Sequence, residues 1–194
     1  MGSVTLACSK YTVGMNAKGW SRKEIMGVED NKLKTGVAHT PPGEGRRSLW
    51  VMGEMVTCKV TSDQTSGAYS LFEITTQPGD GPPPHVQHWE DESFYVLEGE
   101  YEFLVEERTI KAGVGTLIYV PKGNLHAHKN VGEGLGRMLI SQTPGGSHER
   151  FIEALGEAAA VKTSPPASEG PLDVTRIVAI AAKYGIEIPQ PIAH

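Results

Sequence analysis

What most constrains this chain is a pair of short blocks in which histidine and a carboxylate recur on β-prone sequence between glycine and proline turns. Gly115 to Asn130 reads GTLIYVPKGNLHAHKN, and upstream of it Gly79, His85, Glu92 and Gly99 stand at comparably regular intervals. Successive side chains of a strand face opposite sides, so His85 and Gln87 share one face while Val86 and His88 share the other. His126 and His128 share a face in the same way. Two imidazoles and a carboxylate converging from neighbouring strands give a nitrogen and oxygen site of the kind divalent first-row metals take. The sequence therefore predicts a metal inside a β-barrel.

The surrounding sequence suits that container. Short β-prone runs at Ser48–Val60, Gly67–Thr76, Pro84–Trp89, Ser93–Leu97, Tyr101–Val105, Thr116–Pro121, His126–Asn130 and Arg137–Gln142 alternate with Gly, Pro, Asp and Asn turns. That spacing predicts an antiparallel sandwich or barrel. The turn at Glu98-Gly99-Glu100 is expected to join two strands as a hairpin, with glycine supplying a positive φ. After Gly145 the period becomes helical. Ser147 is placed to cap a helix with Phe151, Ile152 and Leu155 on one stripe. KTSPPASEGP at 162–171 reads as a linker or exposed loop, and Leu172 to Tyr184 forms a second helical pattern ending at Gly185. The expected division is an N-terminal extension over 1–45, a barrel over 46–145, and a helical segment over 146–194 that packs on the barrel or on a partner subunit.

The two blocks resemble the paired motifs of the cupin superfamily, G(X)5HXH(X)3,4E(X)6G and G(X)5PXG(X)2H(X)3N. The second is matched at Gly115, Pro121, Gly123, His126 and Asn130, every fixed position. The first is matched at Gly79, His85, Glu92 and Gly99, with Gln87 where the second histidine is expected. PPPHVQHWEDESFYVLEGEYEFLV, with the flanking LWVMGEMVTCKVT and GAYSLFEIT, is further similar to single-domain cupins described as quercetin 2,3-dioxygenase-like. The resemblance spans roughly residues 45–160. It implies a mainly β fold, the cupin jelly-roll barrel or double-stranded β-helix, here followed by C-terminal α-helices.

For function, the resemblance implies one divalent transition metal ion (Fe, Ni, Mn, Cu or Zn) held by His85, Gln87, Glu92 and His126. The activity it implies is a dioxygenase acting on a small organic substrate, aromatic or flavonol-like, with O2 as the second reactant. Glu92 would be the catalytic group, a ligand that also accepts the substrate's hydroxyl proton. A homodimer is expected, because similar cupins pair and a sandwich has sheet edges to bury. Two other readings stay open: a redox-neutral lyase or isomerase that uses the metal as a Lewis acid on a carbonyl, and a non-catalytic cupin that binds a small molecule. Gln87 bears on both. Its amide oxygen is a neutral, weaker donor than imidazole. Cupin-fold mannose-phosphate isomerases are similar in using a glutamine among their zinc ligands, whereas a site without metal would bind its ligand by hydrogen bonds alone.

Around these ligands, Phe94 and Val96 share parity with Glu92 and are expected on the pocket wall. His128 is expected to line the pocket or to be an ordinary rim or core histidine. Parity sends His88 away from the site, and His39, His148 and His194, outside the motifs, read as surface residues. Composition narrows the partners. With 194 residues, 39% of them hydrophobic, one domain with a good core is expected. A net charge of −5 with scattered lysines and arginines argues against nucleic acid. Cys8 and Cys58 form no CxxC pair, which points to a reducing compartment, the cytoplasm. LAC ending at Cys8 lacks the charged and apolar stretches of a signal peptide, and no apolar run is long enough to cross a membrane.

Overall fold

The structure is a computed structural model that describes residues 5–8, 11–14, 37–159 and 173–189. The chain divides into two compact units, 1–36 and 37–194. In the first, β1 (Thr5–Cys8) pairs antiparallel with β2 (Tyr11–Gly14). The readings of 162–171 as a linker and of His194 as a surface residue lie outside the described residues.

The second unit is a jelly roll of two antiparallel sheets. Its elements in order are β3 (Arg47–Val51), β4 (Glu54–Val60), β5 (Ser70–Thr76), β6 (His85–Gln87), β7 (Asp91–Glu98), β8 (Tyr101–Val105) and β9 (Arg108–Ala112). There follow β10 (Leu117–Val120), β11 (Leu125–Asn130), β12 (Gly136–Thr143), α1 (Ser147–Leu155), β13 (Glu157–Ala158), α2 (Val174–Lys183) and β14 (Ile186–Glu187). One sheet has the order β10-β7-β12-β5-β4-β3-β13 and the other β14-β6-β11-β8-β9. Strict alternation decides which side faces in: along β7, Glu92, Phe94 and Val96 are buried, and along β12, Met138, Ile140 and Gln142. Phe72, Phe94, Phe103 and Met138 fill the space between the sheets. Each such side chain contributes roughly 1.5–3 kcal/mol on burial, enough for the sandwich to tolerate a polar site in its interior.

Several expectations are corrected. The run Ser48–Val60 is two strands, because Met52 and Gly53 both take positive φ, 47° and 88°, and turn the chain into a tight hairpin. β9 was not among the expected strands. Gly99 does take a positive φ of 83°, but the turn is no hairpin, since β7 and β8 lie in different sheets. Gly99 thus carries the chain across the sandwich, close against Gly136, where a Cβ would meet backbone.

Ser147 does not cap α1 with its side chain. It is the first helical residue, and its hydroxyl donates to the Tyr184 carbonyl at 3.0 Å. The free N–H groups of the helix are taken by Glu90: its carboxylate accepts from Ser147 N at 2.9 Å and from His148 N at 3.1 Å. α2 follows its expected course, opening on Asp173, which accepts from Arg176 N at 2.9 Å, and closing before Gly185. Gly185 is required there, with φ of 73° and the Trp89 ring lying over it. Phe151, Ile152 and Ala181 join the same apolar cluster as the barrel. Among the described residues, no helix is long and apolar enough to cross a membrane.

Candidate metal centre

The fold brings residues of both sheets to one point. His126 on β11 stands directly opposite His85 on β6, with ring centroids 4.4 Å apart, and Glu92 reaches them from β7 of the other sheet. One ligating atom from each of His85, Glu92 and His126 lies within 4.8 Å of the others.

The surrounding bonds fix which atoms are offered. His85 Nδ1 and His126 Nδ1 each lie 3.0 Å from a backbone carbonyl, of Pro83 and Asn124 respectively. A carbonyl can only accept, so each Nδ1 carries the proton and each Nε2 lone pair is left free. Glu92 is oriented by Gln142, whose Nε2 donates to Oε1 at 3.0 Å, leaving Oε2 to face His126 Nε2 at 2.6 Å. That approach lacks hydrogen-bond alignment, and both atoms are buried without a partner. Two lone pairs this close repel unless a cation stands against both. A bound proton or a metal ion meets the need, and imidazole, imidazole and carboxylate are the donors a first-row divalent ion takes. The His85, Glu92 and His126 cluster is therefore compatible with a metal site.

Electrostatics follow from this packing. Burial, with His126 acting in the same sense, pulls His85 down to about 4. For Glu92 burial pushes upward, but the His126 contact overrides it and the carboxyl is held down at about 2. Burial likewise opposes charge on His126, and Glu92 reverses the sign and raises it.

Gln87 lies on the same face as His85 and is buried, with Oε1 unpartnered. Its Nε2 donates to His148 Nδ1 at 2.7 Å. His148 is thus not a surface residue. α1 carries it onto the wall of a cavity of about 60 Å³ that His85, Glu92 and Phe94 also line, and burial lowers its pKa. Its ring packs on Phe72 and Phe151. Glu90, raised to about 7 mainly by burial, holds the His148 backbone from the same loop.

The rest of the cavity wall is mostly apolar, with Val51, Ile74, Ile140 and Ile186 among its residues, plus one further polar pair, Glu54 and His128. Phe94 and His128 both border this cavity. Val96 does not line this cavity; it is fully buried in the core beyond it. His88 turns outward to Glu187 at 2.9 Å, and His39 is exposed. Sequence reasoning missed His148, Gln142, Glu90 and Glu54. His148 had a signal, since it precedes Phe151 and Ile152 by three and four residues and so shares the inward stripe of α1.

Residues 72–141 match the cupin domain family. No curated protein matches the chain. Among solved structures, it is similar to KdgF from Halomonas sp. (15% identity, TM-score 0.46, 50% of this chain and 84% of that one). It is also similar to the Cnp3 cupin domain of Schizosaccharomyces pombe (18%, 0.44, 54% and 73%) and to a predicted oxalate decarboxylase from Thermotoga maritima (18%, 0.45, 47% and 80%). Residues 72–141, which carry both motif blocks and most of the jelly-roll strands, are thus the part of the chain that is similar to a cupin domain.

Proposed function

We propose that the chain is a metal-dependent dioxygenase acting on a small hydroxylated organic substrate, with His85, Glu92 and His126 as the metal ligands and Gln87 as a fourth through its amide oxygen. The observation that carries this reading is a two-histidine, one-carboxylate set, of which His85 and Glu92 line a mostly apolar cavity, the donor pattern of non-haem oxygenases that keep coordination positions free. When bound, the ion supplies Lewis acidity and the redox capacity that couples an organic substrate to dioxygen.

The protein's own contribution is arrangement. Pro83 and Asn124 hold the two imidazoles in the ligating tautomer, and Gln142 turns Glu92 so that Oε2 faces the site. Glu92 is the group placed to accept the substrate's hydroxyl proton. With Gln87 Nε2 donating to its Nδ1, the neutral His148 ring carries its proton on Nε2, a donor available to a substrate oxygen. Val51, Ile74 and Ile140 keep competing water out. The mostly apolar wall with a few polar groups favours a small organic substrate.

One observation favours a redox-neutral isomerase or lyase instead: the neutral amide of Gln87 leaves the ion more electrophilic than a third imidazole would. Oxygen consumption by metal-loaded protein with small hydroxylated substrates, and 18O incorporation from O2 into product, support the oxygenase; turnover under argon sinks it. His126→Ala is expected to lose bound metal and activity together while keeping its circular dichroism spectrum. The same reading includes a homodimer, supported by Tyr95, Leu117 and Tyr119, which lie exposed along the β10 edge.

A further inference from the structure

We propose that the cavity holds a second polar subsite, built on Glu54 and His128, that takes an uncharged hydroxyl group of the molecule bound at the His85, Glu92 and His126 pole. This rests on the functional reading above, since it assigns the far end of that ligand. Glu54 opens β4 directly after the Met52-Gly53 turn and points inward, only 7% exposed. Its Oε1 accepts from Thr76 Oγ1 at 2.8 Å and from His128 Nε2 at 2.9 Å, and Tyr101 donates in turn to Thr76 at 3.1 Å.

Both donors meet on Oε1, so the second oxygen of the carboxyl keeps its lone pairs unengaged. Among the described residues Thr76 and His128 are the side-chain partners of Glu54, both on Oε1, and no hydrogen bond reaches Oε2. His128 Nδ1 is likewise buried without a partner. A buried carboxylate with idle lone pairs beside an orphaned ring nitrogen is costly unless something completes them. Both residues line the same cavity as His85 and Glu92. His126 and His128 are two residues apart on β11, so the two poles are about 7 Å apart along the strand. Phe94 lies between them, its ring centroid 5.9 Å from His126 and 5.8 Å from His128.

The chemistry selects the occupant. An anionic end would face Glu54 in a poorly screened interior and is rejected. A methyl end leaves both polar atoms unmatched. An ammonium would have to surrender its hydration to a wall offering one free carboxylate oxygen. A hydroxyl donates its one proton to Glu54 Oε2, the acceptor that the protein leaves open on this wall. The ligand class is therefore a small molecule with metal-binding oxygens at one end and an uncharged hydroxyl a short carbon chain away.

Four-carbon 2-hydroxy acids test this, because they share a chelating head and differ only at C4: 2-hydroxybutanoate, 2,4-dihydroxybutanoate, 4-amino-2-hydroxybutanoate and malate. Zinc uptake is measured first, then titration calorimetry of each acid against the zinc-loaded protein. The dihydroxy acid should bind at least tenfold more tightly than the methyl and carboxylate analogues. Glu54→Gln keeps the shape and removes the charge, so its zinc affinity should stay within about twofold while the preference for hydroxyl shrinks and malate gains. Thr76→Val, which removes one bond holding Glu54, should lower the hydroxyl preference without touching the first pole. Equal binding of the four acids, tighter binding of the amino acid than of the dihydroxy acid, or no binding of any to zinc-loaded protein overturns the subsite alone. A wild type that takes up no zinc brings down the metal reading, and the subsite with it.

Discussion

At the scale of single residues, Gln87 decides how the site differs from others with its motif. It shares a strand face with His85, its Oε1 is free, and its other amide atom is tied to His148. An amide oxygen binds late first-row ions less strongly than imidazole does. Gln87→His should therefore tighten zinc or nickel binding, by about 1.4 kcal/mol if affinity rises tenfold, while releasing the His148 ring from its tether. Turnover need not rise with occupancy, since a third imidazole lowers the ion's Lewis acidity. Metal titration of Gln87→His beside Gln87→Ala checks this; identical affinities in all three proteins would make Gln87 a bystander. Cys58 gives a second test. Burial first, then the nearby Glu149 charge, pushes its thiol up to about 12, so far less thiolate exists in the folded protein than in the unfolded chain. In a Cys8→Ser background, alkylation at pH 8 should be at least about a hundredfold slower folded than in urea. That His85 and Gln87 share a face was legible through strand parity, whereas the meeting of His85, Glu92 and His126 was legible only through the paired motifs, since the three stand on separate strands. Glu54 was not, since no local spacing reveals where β4 lies, and His148 was legible only through the apolar stripe of α1 that it shares with Phe151 and Ile152.

At the scale of elements, α1 is held to the barrel through the loop that carries the first motif. Glu90 lies between Gln87 and Glu92 and accepts from the first N–H groups of the helix, replacing the side-chain cap that Ser147 was expected to give. Glu90→Ala should cost about 1–2 kcal/mol, the loss of a good N-terminal cap. Urea denaturation reads it, and an unchanged midpoint would mean the helix stands on its apolar stripe alone. Because Glu90 also fixes the backbone of His148, the variant should weaken substrate binding more than metal binding. Element type was readable wherever one face is plainly apolar, as in β7, β12 and both helices. β9 was missed because only Ile110 and Ala112 turn toward the core, too short an alternation to stand out from the flanking polar residues. The Gly99 turn misled for another reason: positive φ specifies a sharp reversal but not whether the next strand pairs with the last one or crosses to the opposite sheet.

For the whole molecule, the sheet edges decide what remains. A jelly roll closes its interior but leaves outer strands with unpaired backbone groups. β10 is such an edge, and the face it shares with β7 carries Leu117 at 61%, Tyr119 at 57% and Tyr95 at 42% exposure. A two-fold pairing of this surface with its own copy would cover those side chains and the edge in one step, since an isologous contact needs only one self-complementary patch. The expected species at micromolar concentration is therefore a dimer of the 20.9 kDa chain by sedimentation equilibrium. Its thermal midpoint should climb with protein concentration, because association stabilises only the folded state. Leu117→Asp places a charge in the middle of the proposed contact, and burying it unpaired would cost several kcal/mol. That variant should sediment as a monomer, keep its metal affinity, and lose the concentration dependence of its midpoint. A wild type that sediments as a monomer removes the dimer altogether, whereas a dimer indifferent to Leu117→Asp moves the contact away from β10.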